Sequence, residues 1–317
     1  MRAATIRDHA VVVAEHPDPR PGTGEVLVRV RGAGLNGADQ MQLMGLYPPP
    51  PGSGVPADIP GLELAGEVAE TGPNAARFSP GDRVMAIVAG AGQAELAVVH
   101  ERQLMPVPEA LGWPEAGSFA EVFLTAYDAI FGQGALRAGE HLLVHGAAGG
   151  VGTAAVQLGA AIGARVTATV RNAASRDAVR ALGADEVIAP EGFGEHGPFD
   201  VILELVGAPN LAENVGALAM RGRIVVIGVS AGGEAQLDLR TLMQRRGRVS
   251  ASTLRARPLE EKALLTREVE KHVLPLVEAG RIRVPVAAEF GLAEAAAAYD
   301  FFSAGGKCGK VVLTSSG

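Results

Sequence analysis

The run His145-Gly146-Ala147-Ala148-Gly149-Gly150-Val151-Gly152 lies between an apolar segment, 141–145, and a stretch of small residues, 153–164. A strand, a glycine turn and a helix in that order can hold a pyrophosphate. Glycine lets the chain turn tightly, keeps a Cβ from holding phosphate away from backbone N–H groups, and seats the helix close to the strand. The helix start adds about half a positive charge. Gly149, Gly150, Val151 and Gly152 are therefore the expected phosphate contacts. In the G-x-G-x-x-G frame the three places fall on Ala147, Gly149 and Gly152, so the first glycine is absent. On the motif alone, a turn made only for packing stays open.

The second chemical cue lies about 20 residues further on, where sites for a free ribose hydroxyl usually carry an acid. Here the segment reads Thr169-Val170-Arg171-Asn172, with Ser175 and Arg176 just beyond. A guanidinium pairs with a 2′-phosphate and no carboxylate is present to repel it, so NADPH is the expected dinucleotide. The competing reading makes Arg171 and Arg176 solvated charges at a helix start.

The elements that must position these residues follow from periodicity. From about residue 120, strands at 141–145, 165–170, 186–188, 200–206, 223–229 and 248–253 alternate with helices at 153–164, 173–182, 210–220 and 239–245. That pattern specifies an α/β, doubly wound parallel sheet. Continuous apolar runs such as Val201-Ile202-Leu203 fit strands buried on both faces. Residues 1–118 carry short β-prone runs at 2–7, 11–15, 25–30, 63–70, 83–88 and 95–100, which suggests a compact barrel-like domain. Six of the fifteen residues 46–60 are proline, a loop that is either surface connection or active-site lid. The tail adds a helix at 259–278, a strand at 284–289, a helix at 294–303 and a strand at 310–313 that returns to the first domain. The expected organisation is a dinucleotide domain, 121–255, inserted into a β-rich domain, 1–120 and 256–317. The cleft between them is the default site.

Composition narrows the function classes. The 317 residues carry 28 Lys and Arg against 35 Asp and Glu, a net charge of −7 without long single-sign runs. Such a surface repels nucleic-acid phosphates and anionic membranes, so neither is an expected partner. The single cysteine, Cys308, forms no internal disulfide and supplies no four-thiolate zinc lobe; it reads as an inert filler in a reducing, cytoplasmic protein. The start of the chain holds Arg2, Arg7, Asp8, His9 and Glu15 and no apolar leader core. The uncharged stretch 141–164 is interrupted by six glycines and changes from strand to helix midway, which marks a buried segment of a soluble fold.

The chain resembles the zinc-independent quinone oxidoreductases of the medium-chain dehydrogenase/reductase superfamily over essentially its whole length. The similarity is carried by Gly34-Leu35-Asn36-Gly37-Ala38-Asp39, Gly45-Leu46-Tyr47 with Pro48 to Gly52, Gly61-Leu62-Glu63-Leu64-Ala65-Gly66, Gly81-Asp82-Arg83-Val84, Phe123-Leu124-Thr125-Ala126, the glycine turn with Gln157, and Gly309-Lys310-Val311-Val312-Leu313. It looks most like the NADPH quinone reductase subgroup of the p53-inducible type. The resemblance implies a GroES-like catalytic domain, a Rossmann domain and a homodimer. It places Asn36 and Tyr47 near the nicotinamide, and Thr125, Gly207, Gly228, Val229 and Ser230 around the cofactor. Two departures stand out: relatives often have Asn-Tyr at the place of Ala189-Pro190, a tyrosine that helps hold the adenosine phosphate, and the C-terminal arginine of some relatives is missing. Arg171 is the expected substitute.

Zinc alcohol dehydrogenases resemble the chain too, but place a cysteine at the position of Asn36 and a histidine at that of Leu62, and neither residue present here is a sensible zinc ligand. The seven histidines show no ligand spacing. Without a Lewis acid, an ordinary ketone needs another strong electrophile, whereas a quinone or conjugated carbonyl spreads incoming charge over its own π system. Asn36 and Tyr47 are the expected hydrogen-bond donors to the acceptor oxygen. Asp39 reads as structural, Tyr47 has packing as its competing role, and Lys310 is open between facing the cofactor and facing solvent. Met41, Leu43, Met44 and Leu46 form either a soft substrate wall or core. The expected activity is NADPH-dependent reduction of quinones. Reduction of an enoyl or alkenal double bond in a biosynthetic pathway, or NADPH binding without turnover, are the alternatives.

Overall fold

A computed structural model describes residues 1–315. The chain divides into two compact units, one made of Met1–Leu124, Leu254–Gly305 and the segment from Lys310 onward, the other of Thr125–Thr253 with Gly306–Gly309. Gly306–Gly309, expected with the β-rich domain, group with the second unit. There Asn172 Nδ2 donates to Gly306 O at 2.7 Å and Gly309 N to Ala148 O at 2.9 Å.

In chain order the first unit begins with β1 (Arg2–Arg7) and β2 (Ala10–Glu15), β3 (Glu25–Gly34), α1 (Gly37–Leu43), β4 (Glu63–Thr71), β5 (Arg83–Ile87), β6 (Leu96–His100), β7 (Leu104–Pro106), α2 (Trp113–Ala116) and α3 (Ala120–Tyr127), whose last turn opens the second unit. β1 and β2 form a hairpin whose two turn residues, Asp8 and His9, take positive φ as a tight two-residue turn requires. β3 is the spine of the larger sheet. One edge pairs with β4; the other pairs with β6 along residues 25–29 and, further on, with the chain's final strand. Val26, Val28, Val30, Leu64, Val68, Val84 and Leu104 alternate inward from these strands and form its core.

The second unit continues with β8 (His141–Val144), α4 (Gly150–Ala161), β9 (Arg165–Thr169), α5 (Arg176–Arg180), β10 (Glu186–Ile188), β11 (Phe199–Glu204), α6 (Leu211–Gly216), β12 (Leu218–Val226), α7 (Leu239–Arg245) and β13 (Arg248–Ala251). All neighbours in the sheet are parallel and the order is β10-β9-β8-β11-β12-β13. Leu142, Leu143, Val144, Val201, Ile202, Leu203, Ile224 and Val225 are fully buried, as strands covered on both faces demand. The direction of winding reverses between β8 and β11. Their C-terminal ends therefore bound the crevice where such sheets take ligands.

The chain returns to the first unit through α8 (Leu259–His272), α9 (Leu274–Glu278), β14 (Val286–Gly291), α10 (Ala295–Ala304) and β15 (Lys310–Thr314), which lies parallel to β14 and antiparallel to β3. Two sequence expectations are corrected. The helix expected over 259–278 is two helices, broken at Val273 (φ −107°), where Pro275 removes a backbone donor from the first turn of the second. Leu218 to Met220, expected as the end of a helix, open β12, where Leu218 pairs with Phe199. Among the described residues no helix is long and apolar enough to cross a membrane.

Candidate active site

The second unit carries the glycine turn. β8 ends at Val144, the buried His145 follows, and Gly146 turns the chain at φ +62°. A Cβ on Gly152 would stand 2.6 Å from Ala147 Cα, so glycine there lets α4 sit against the turn. Gly149 differs, since an added Cβ would meet only Gly146 O at 3.4 Å, an ordinary contact. Packing therefore does not require that glycine. Gly149 caps α4 without a side-chain hydrogen bond, and the N–H groups of Gly150, Val151 and Gly152 lie in the first turn, where a helix has no partners of its own. These free donors and the small residues around them fit a pyrophosphate.

The loops after β11 and β12 are held together by two further glycines. A Cβ on Gly207, which has φ +114°, would lie 2.5 Å from Gly232 O, and one on Gly228 would lie 2.5 Å from Leu205 O. Val229 and Ser230 follow in the exposed part of that loop. Thr125 Oγ1 is buried and has no hydrogen-bond partner among the described residues. Such an atom costs about 1–3 kcal/mol unless something else satisfies it.

The residues expected at the ribose phosphate separate by role. Arg171 is exposed, just past the end of β9, with no ion-pair partner among the described residues. Asn172 accepts from Ala174 N and donates to Gly306 O, so it shapes the turn. Ser175 is buried, and Arg176 donates from Nε to Val170 O at 3.3 Å.

The first unit holds a buried polar cluster around α1. Asp39 accepts from Asn36 N at 2.8 Å and from Gly61 N at 3.0 Å, the structural role expected for it. Burial raises its carboxyl to about 6 against the pull of those two donors and of Lys310. Lys310 faces neither of the two environments left open for it. Its ammonium is buried and meets Leu35 O at 2.7 Å, Asn36 Oδ1 at 2.6 Å and Glu63 Oε1 at 2.7 Å, a full set of acceptors for three hydrogens. The reason is physical: a lysine on this inward face of β15 needs an anion, and the fully buried Glu63 supplies it. Asn36 is committed in the same way, since Nδ2 donates to Glu63 Oε1 at 3.0 Å and to Gly34 O at 3.3 Å.

Tyr47 is half-buried, and three interactions hold its loop. Arg255 donates to Tyr47 O at 2.6 Å, to Gln42 Oε1 at 2.6 Å and to Ala89 O at 2.7 Å, with its guanidinium 5.1 Å from the Tyr47 ring centre. Lys262 Nζ donates to Arg255 O at 2.8 Å, and burial pulls that ammonium below the usual lysine range. Burial, with the charge of Glu121, holds the Tyr47 phenol above its ordinary range, so it stays a hydrogen-bond donor. Glu121, whose backbone N donates to Glu63 Oε2 at 2.9 Å, has its own carboxyl raised to about 8 by burial and by Glu63. Sequence reasoning assigned no site role to Glu63, Glu121, Arg255 or Lys262. Of the apolar neighbours of Tyr47, Leu43 packs on core while Met44 and Leu46 are exposed. Among the described residues no three His, Cys, Asp or Glu side chains converge as metal ligands would.

With that geometry in place, comparison with known proteins defines the class. Residues 22–135 match the family model of the alcohol dehydrogenase GroES-like domain, and residues 150–271 match that of the zinc-binding dehydrogenases. A probable oxidoreductase from Mycobacterium abscessus shares the fold with a TM-score of 0.85 and 30% identity, over 99% of this chain and 98% of that one. Quinone oxidoreductase of Mus musculus is 30% identical over 314 residues, 93% of this chain and 90% of that protein. The chain belongs to the quinone oxidoreductase family of the medium-chain dehydrogenase/reductase superfamily, whose members use a nicotinamide cofactor. A polyketide synthase protein, NorB of Streptomyces orinoci, is 35% identical over 302 residues; the match takes 92% of this chain but only 13% of NorB's length.

Proposed function

We propose that the chain reduces quinones or similar conjugated carbonyl acceptors with NADPH, without a metal. The observation that carries the metal-free part is the bonding of Asn36. At a position where zinc relatives have a cysteine, this carboxamide accepts from the Lys310 ammonium at 2.6 Å and donates to Glu63. Leu62, at the histidine position, is core. That donor set suits a buried ion pair and not a zinc ion.

The free N–H groups of Gly150, Val151 and Gly152 hold the pyrophosphate, Arg171 pairs with the 2′-phosphate, and the Thr125 hydroxyl gains its missing partner from the bound dinucleotide. NADPH supplies hydride when bound. Tyr47, its phenol kept protonated by burial and its backbone held by Arg255, binds the acceptor oxygen. Asn36, its polar atoms already spent, supports the wall of the acceptor site instead of donating to the acceptor. An acceptor that delocalises charge needs no more than this single donor, and solvent provides the completing proton.

Loss of NADPH absorbance with a quinone, unchanged by a strong chelator, tests the reading; activity lost to the chelator and restored by zinc would overturn it. The similarity to a polyketide synthase favours a second reading, reduction of a conjugated C=C in a biosynthetic chain. Rates with a quinone and an α,β-unsaturated thioester measured side by side separate the two. Binding of NADPH without turnover on either acceptor would favour the third, non-catalytic reading. A cytoplasmic homodimer completes the proposal. The edge strand β13 with Val249, and the neighbouring Met220, Leu239 and Met243, expose apolar side chains that a second copy would cover. A monomeric mass by light scattering would refute the dimer.

A further inference from the structure

Four buried side chains, His145, Thr169 and Glu204 at the C-terminal ends of β8, β9 and β11 and Asn214 on α6, form a hydrogen-bond chain whose direction the structure fixes. It starts at Glu204, the last residue of β11. One carboxylate oxygen, Oε1, accepts from Val206 N at 2.6 Å, Gly207 N at 2.8 Å and Asn210 Nδ2 at 3.3 Å, gathering the turn after the strand. The other, Oε2, accepts from Asn214 Nδ2 at 2.7 Å. That bond orients the amide, because the reverse placement would set the Asn214 oxygen against a carboxylate oxygen. Asn214 therefore presents Oδ1 to His145 Nε2 at 2.8 Å. A carbonyl oxygen only accepts, so Nε2 carries the hydrogen.

The other ring nitrogen follows. His145 is fully buried, packed edge-on against Phe193, and burial pulls its imidazole below the usual histidine range, although Glu204 and Glu213 oppose this. In the neutral ring Nδ1 is an acceptor, and the Thr169 hydroxyl at 3.1 Å donates to it. The same oxygen then accepts from Gly146 N at 3.4 Å. The chain runs one way from the glycine turn, through Thr169 to His145, and one way from His145 through Asn214 to Glu204 and the 205–210 turn. These two turns flank the crevice between β8 and β11.

We propose that His145 is a positioning residue for dinucleotide binding, held neutral with hydrogen on Nε2, that sets the glycine turn and the 205–210 turn in register with each other. The proposal rests on the cofactor reading above. None of the four side chains touches the dinucleotide: Thr169 and Glu204 hold backbone, and His145 and Asn214 link them. The same polar atoms would stabilise the fold in any register, so the directional chain is what gives the proposal its own signature.

Glu204→Gln reverses the chain without changing its shape. The new amide keeps its oxygen on Val206 N and Gly207 N and offers N–H to Asn214, whose amide then flips and presents N–H to His145 Nε2. The ring must move its hydrogen to Nδ1, and Thr169 loses its acceptor. Nitrogen NMR of the histidine ring is expected to show the Nε2–H form in the unmodified protein and the Nδ1–H form in E204Q. The KM for NADPH is expected to rise about tenfold, the scale of one lost net hydrogen bond, with kcat changed less than twofold. Thr169→Val, which deletes only the hydroxyl, should raise the KM for NADPH in the same way while leaving the hydrogen on Nε2, and it serves if E204Q does not fold. An Nδ1–H or doubly protonated ring in the unmodified protein at neutral pH overturns the proposal. So does a T169V enzyme with unchanged KM for NADPH. If the unmodified protein shows the Nε2–H ring yet binds no NADPH, the chain stands and the cofactor reading fails.

Discussion

Replacing Lys310 with methionine isolates the energetics of the cluster beneath α1. Methionine keeps most of the length and apolar stem of lysine, so the substitution removes a charge and three hydrogen bonds while leaving little void. What it strands is Glu63, whose carboxyl is fully buried and loses the ammonium at 2.7 Å, though it keeps Asn36 Nδ2 at 3.0 Å and Glu121 N at 2.9 Å. Removing one member of such a buried pair costs about 3–5 kcal/mol. Because domains are typically stable by about 5–15 kcal/mol, Lys310→Met should remove about a fifth of the total or more. Urea unfolding measures this as a lower midpoint at unchanged slope. Adding Glu63→Gln removes the stranded charge and should restore about 1–3 kcal/mol. A cost below about 1 kcal/mol for Lys310→Met, or a double variant whose loss equals the sum of the two single ones, would refute the coupling of these residues.

Three further outcomes follow. Glu121, with a carboxyl near 8 in the folded chain against an ordinary 4.5, binds a proton that the unfolded chain releases, so its contribution to stability is present at low pH and lost as pH rises toward 8. Asp39 acts in the same sense but is finished near 6. Between pH 6 and 8, Glu121→Gln should therefore flatten the fall in unfolding free energy from urea curves by up to about 1.4 kcal/mol per pH unit, and an unchanged slope would remove Glu121 from that role. Thr125→Val deletes an unsatisfied buried hydroxyl and should raise thermal stability, by about 1 kcal/mol, while raising the KM for NADPH; a loss of stability would mean the hydroxyl is already satisfied. Arg171→Ala should raise the KM for NADPH at least tenfold and that for NADH less than twofold, since only the former carries the 2′-phosphate; equal effects would take Arg171 out of phosphate recognition.

The parallel sheet was legible because its strands are continuous apolar runs between glycine turns, a pattern that few other arrangements tolerate. The helical stretch of 259–278 misled for the opposite reason. Its apolar spacing runs through Pro275, and only the backbone at Val273 shows that two helices meet there. Leu218-Ala219-Met220 are good helix formers, but pairing with Phe199 overrides that preference. The glycine turn could be placed from sequence because its partners are local. The cluster around Lys310 could not, because Asn36 lies 274 residues away from Lys310 and 27 from Glu63. A lysine after a glycine at the start of a strand gives no sign of which face it will take. Arg255 and Lys262 were hidden likewise, since charge type is visible in sequence and burial is not.

The most direct test of the central claim follows nicotinamide absorbance in the purified protein with NADPH and a panel of quinones and α,β-unsaturated carbonyls, with and without chelator. Saturable NADPH oxidation with conjugated acceptors, absent with simple ketones and indifferent to chelation, is the predicted result. Turnover of simple ketones that chelation abolishes, or no NADPH binding at all, would contradict it.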